Sequence, residues 1–139
     1  MNKLFLTDRQ NMARLFLLCS AIGGFLAVAL GAFGAHGLRS ILSEQALATW
    51  QTAVQYQMFH SLALLAVSIF YQSHPSKALK LSGLAFILGG LLFSGSLYAL
   101  ALGVAHGVGI ITPFGGVSFL VGWIGLFIAA WRLHHHNSQ

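Results

Sequence analysis

From Leu15 to Leu38 the chain reads LFLLCSAIGGFLAVALGAFGAHGL, 24 residues with no charged side chain. A helix needs roughly 20 apolar residues to cross about 30 Å of hydrocarbon. This run exceeds that length, and three others approach or match it. Four spans are expected, at about 15–36, 53–71, 80–102 and 114–131. Lipid offers no partner to a backbone N–H or C=O, so runs this long must satisfy their own and form helices. Barrel strands are shorter and alternate in polarity, which these runs do not. The expected fold is all-α: an integral membrane four-helix bundle forming one domain over 15–132. Residues 1–14 are read as a cytoplasmic N-terminal arm and 133–139 as a cytoplasmic tail.

Composition excludes the soluble alternative. Charged residues make up 6% of the chain, against roughly 25% in a soluble domain. The net charge of +5 does not point to nucleic acid, which demands Lys and Arg gathered in one patch. Here they are scattered between apolar runs, an arrangement suited to anionic lipid headgroups. The expected surroundings are therefore the lipid bilayer of the plasma membrane or a bacterial inner membrane. Cys19 is the one cysteine, so neither an intrachain disulfide nor a cysteine-based zinc site can form.

The scattered cations set direction. Lys3, Arg9, Arg14, Lys77, Lys80 and Arg132 fall on one side of the expected spans, and Arg39 alone on the other. The positive-inside rule then puts both termini in the cytoplasm. An antiparallel dual-topology dimer does not fit so strong an asymmetry. The first span is read as an uncleaved anchor, since its apolar run is longer than the 7–15 residues of a signal peptide.

Small residues recur on the spans, and in lipid they let helix backbones approach. Gly23, Ala27, Gly31 and Ala35 repeat every four residues on span one. Gly115, Ser118, Gly122, Gly125 and Ala129 repeat at three and four on span four. Span three offers Gly83, Gly90 and Ser94, or Ala85, Gly89, Ser96 and Ala99. Such stripes imply close packing and nothing more specific. Gly37 is read as a left-handed cap ending span one, with His36 in the last turn.

Polar side chains inside the membrane are expensive and usually face a bundle interior or a cavity. Gln57, His60, Ser61 and Ser68 fall within about 100° of one another on a helix. Tyr56 lies beside them, Ser94, Ser96 and Tyr98 lie at the outer half of span three, and Thr112 and Ser118 at the matching depth of span four. With His36 at the outer end of span one, this polarity converges on the outer half of the bundle. Three roles compete for it: hydrogen bonds fixing helix register, a lining for a small polar solute or proton, and a metal or haem site using His36, His60 and His106. The third lacks any nearby carboxylate or thiolate to neutralise a divalent ion. Asp8 and Glu44 are the only acids and lie outside the spans, so neither a carboxylate-driven antiporter nor a Ser–His–Asp hydrolase is expected. No GxSxG or P-loop pattern occurs. No enzyme activity, metal or cofactor is expected. The terminal HHHNSQ is read as a solvated tail or a remnant.

Four segments, ALGAFGAHGL, WQTAVQYQMFHSLALL, LFSGSLYAL and TPFGGVSFLVGW, resemble in order the domain-of-unknown-function 423 family. That family includes the YwdK-type and transmembrane-protein-256-like small membrane proteins. The resemblance implies four membrane helices and no assigned activity. It covers His36, Trp50, Tyr56, Gln57, His60, Ser94, Ser96, Tyr98 and Pro113, but neither His106 nor the terminal histidines. Two functions stay open: a structural component that binds itself or a membrane-protein partner, and an oligomeric channel or transporter for a small solute.

Overall fold

The computed structural model describes residues 2–104 and 106–136, with side chains described over 7–104 and 106–133. The last tail residues, 137–139, and the side chains of 134–136 lie outside the described residues. The elements are α1 (Asn2–His36), α2 (Glu44–Ser73), α3 (Lys77–Gly89), a π-helical turn (Gly90–Ser94), α4 (Gly95–Ala101), a 3-10 turn (Val108–Ile110) and α5 (Thr112–His136). The π turn joins α3 to α4, so these pieces form one rod, and among the described residues four rods are long and apolar enough to span.

Local chemistry sets the ends. Residues 2–14, expected as a separate arm, continue α1 without a break, and Ala13 and Phe16 are both buried. Ser43 caps α2 by accepting from Ala46 N–H at 3.2 Å, with Glu44 in the first turn, where its charge suits the helix dipole. Helix α2 thus starts nine residues before its apolar stretch, because EQALATWQT contains good helix formers that hydropathy ignores. Pro75 follows its end, and Ser76 caps α3 through Leu79 N–H at 3.1 Å. Gly103, at φ 66°, ends α4: its N–H donates to Leu100 O and that of Val104 to Ala99 O, a Schellman closure.

The expected left-handed cap at Gly37 is not found; the positive-φ residues among those described are Gly103 and Gly107. A Cβ on Gly37 would come within 2.7 Å of the Phe33 ring. Phe33 is exposed and its ring can swing aside, so the constraint on Gly37 is a yielding contact and not its backbone conformation.

Helix α1 packs along α2, and α3 along α5; α2 also lies on α3 and α4, tying the two hairpins together. Phe16 meets Gly83 where α1 touches α3. The core runs from Ala13 and Phe16 through Val67, Leu79 and Phe86 to Phe119. On span one the buried seam is Phe16, Ser20, Ala27 and Gly34, with Gly23 and Gly31 half-buried beside it, while Ala35 is exposed. A four-residue repeat gains about 40° per step on a helix of 3.6 residues per turn. Over the three steps from Gly23 it has drifted off the contact face, and Gly34 takes the place expected for Ala35. The three-and-four spacing on span four does not drift. Gly115 lies on the Phe93 backbone and Gly122 on the Phe86 ring, and a Cβ on Gly125 would come within 3.0 Å of Ala78 O.

Candidate functional site

Loops 37–43 and 102–111 mark one end of the bundle, called here the far end; the termini and residues 74–76 mark the other. The expected polar positions do not form one cluster: most fall into three bonded groups, each joining different helices, and Ser94 and His36 stand apart from them.

Gln57 serves the first. Its Nε2 donates to Gly23 O on α1 at 2.9 Å, and its Oε1 accepts from Tyr98 OH on α4 at 2.7 Å. One amide thus bridges both hairpins. Toward the far end, Trp50 Nε1 donates to Leu30 O at 2.9 Å, and its ring meets that of Tyr98 edge-on at 4.6 Å. The second group joins Ser96 to Thr112 at 2.6 Å and to Phe93 O at 2.9 Å. Ser94 is separate, donating across to Ala53 O at 2.9 Å.

His60 makes the third. Its Nδ1 lies 2.7 Å from Tyr56 O, and Trp123 Nε1 lies 3.1 Å from its Nε2. A carbonyl can only accept and an indole N–H can only donate, so the imidazole is neutral with its proton on Nδ1. Phe119 stacks on it at 3.5 Å. Gln57, Ser61 and Ser68 therefore belong to the α1 contact while His60 turns toward α5, dividing the expected stripe.

His36 is exposed at the end of α1. Trp50, whose indole covers Gly34, stands ten residues before His60, about 15 Å along the helix. His36 is therefore not brought to His60. His106 is exposed too, and Gly107 after it has φ 89° whereas Gly37, after His36, has no positive φ. Tyr56 is 41% exposed and stacks on Phe93 at 4.5 Å. With both nitrogens of His60 bonded, no lone pair on it faces a metal. No group of three His, Cys, Asp or Glu side chains converges among the described residues.

Serine hydroxyls repeat one device along the bundle. Ser20 donates to Ser61 O and Ser68 to Ala13 O, joining α1 to α2; Ser82 donates to Gly122 O and Ser118 to Ala85 O, joining α3 to α5. Each uses the second lone pair of a helical carbonyl. Among the described residues no buried side-chain polar atom is left without a partner.

Two concavities open sideways. One, about 340 Å³, lies between α1 and the α3–α4 rod, with Gln57, His60 and Leu64 of α2 as its floor. The other lies between α2 and α5, lined by Phe59, Phe93, Phe119 and Trp123. His60 borders both. Sequence reasoning missed Trp123 and Phe119 as its partners; the signal available was an indole N–H within an apolar span, which needs an acceptor when buried.

Comparison with known proteins adds the family. A profile described as "Protein of unknown function (DUF423)" matches residues 30–116. A UPF0382 membrane protein of Haemophilus influenzae is 46% identical over 121 residues, covering 87% of this chain and 97% of that protein. One from Staphylococcus aureus is 42% identical over 119 residues, covering 86% and 97%. The UPF0382 inner membrane protein YgdD of Escherichia coli K12 is 44% identical over 121 residues, covering 87% and 92%. No solved structure matches. The extent of these matches, over a chain with four membrane-length helices, makes this a multi-pass membrane protein belonging to the DUF423 family of unknown function.

Proposed function

We propose that the protein is a non-catalytic structural component of the membrane, acting through contacts with a second copy or a membrane-protein partner. The observation that carries this reading is where the polar groups go. Gln57, His60, Ser94, Ser96, Tyr98 and Thr112 bond to each other, to Trp123 or to helix carbonyls inside the bundle. The surfaces left open are apolar, with Phe25, Phe59, Leu91 and Phe127 all more than 60% exposed. His60 has no carboxylate partner, so it lacks the third member of a hydrolytic triad. Proteoliposomes carrying the protein should pass protons and small polar solutes at the protein-free rate, and the protein should leave mild detergent with a stoichiometric partner or as an oligomer. Flux that His60→Leu abolishes would overturn the reading.

One observation favours a conducting alternative: His60 is the wall shared by both concavities. In that case Trp123→Phe, which frees the ring, should raise flux above wild type.

A further inference from the structure

At the termini end a third cavity, about 400 Å³, is lined by Arg9, Gln10, Ala13, Arg14 and Leu17 of α1 and by Gln72 of α2. We propose that it binds the phosphate of an anionic phospholipid in the leaflet on that side. The packing builds it. Ser68 Oγ donates to Ala13 O at 2.8 Å, drawing the two helices together where the α1 side chain is a methyl. That small residue leaves a hollow flanked by longer ones.

Its polar lining is two guanidiniums and two amides, rich in N–H donors and without a carboxylate. Guanidiniums present paired donors that match phosphate oxygens. Among the described residues no carboxylate lines the cavity to neutralise them. Glu44 starts α2 at the far end. Asp8 is not part of the lining and forms no ion pair with Arg9 or Arg14 among the described residues. The C-terminal carbonyls of α2 carry the equivalent of about half a negative charge, against two positive charges.

The position selects a lipid. Arg14 directly precedes the apolar run that begins at Leu15, so it sits at the border of hydrocarbon and headgroup. One turn further, Leu17 is 42% exposed, and the wall becomes apolar where an acyl chain begins. A phosphate with a hydrocarbon tail fits both halves; a free anion uses only the first.

The test is native mass spectrometry of the full chain in mild detergent, titrated with phosphatidylglycerol and, separately, phosphatidylcholine. Phosphatidylglycerol should be retained preferentially. The double variant Arg9→Gln/Arg14→Gln should bind it roughly thirtyfold more weakly, the scale expected for two cations at an anionic surface. Lys77→Gln/Lys80→Gln removes equal charge from the same end outside the cavity and should weaken it less than about threefold. Equal loss in both double variants, or no preference between the lipids, would overturn the proposal. Displacement of phosphatidylglycerol by millimolar inorganic phosphate would also overturn it, in favour of a free-anion site. Should the arginine double variant fail to fold, Arg9→Lys keeps the charge but loses the fork, and unchanged binding would then contradict the proposal.

Discussion

His60 shows how little a polar residue type says about its use. Its depth in span two marked it as a site residue, but its partners turned out to be an indole and a main-chain carbonyl. Removing one partner of a buried bond leaves the other unsatisfied, which costs about 1–3 kcal/mol. Trp123→Phe should therefore lower stability by about 1–2 kcal/mol, read by unfolding in detergent micelles. His60→Phe combined with Trp123→Phe should be less harmful than Trp123→Phe alone, because neither polar atom then remains; an additive loss would contradict the bond. Gln57 and His60 were legible because an amide and an imidazole in an apolar run must find partners. Trp123 was not, because a tryptophan in such a run is equally suited to face lipid, and at 46% exposure it does both.

At the scale of helices, the contact between the α3–α4 rod and α5 rests on absent side chains. A Cβ at Gly115 would collide with the Phe93 backbone, which cannot move without shifting the rod, whereas one at Gly116 finds nothing closer than 3.9 Å. Gly115→Ala should destabilise by about 1–3 kcal/mol through overpacking, and Gly116→Ala should be neutral or slightly stabilising. Thermal unfolding of the two variants separates them, and equal effects would contradict the packing described. The span-four seam was legible because its three-and-four spacing tracks one helix face. The span-one seam was misplaced at Ala35 because a strict four-residue repeat drifts. Helix ends were the least legible: hydropathy marks where lipid begins, while Ser43, Ser76 and Gly103 mark where hydrogen bonding stops. The π turn at Gly90–Ser94 had no visible signal, since an extra residue per turn leaves no mark on composition.

For the whole molecule, four spans put both termini on one side, and from the cations at that end we propose that this side is the cytoplasm. A reporter active only in the cytoplasm should work when fused after Gln139 and fail when inserted in loop 102–111; the reverse pattern would invert the assignment. Intramembrane polar groups bind the two helical hairpins into one bundle. Gln57 is the clearest case, holding Gly23 O of one hairpin and Tyr98 OH of the other. The most direct measurement is the coupling energy between Gln57→Leu and Tyr98→Phe in a double-mutant cycle of unfolding in micelles. Interhelical bonds of this kind average about 0.6 kcal/mol and reach roughly 2. A coupling of about 0.5–2 kcal/mol is the predicted result, and additive losses with no coupling would contradict the claim.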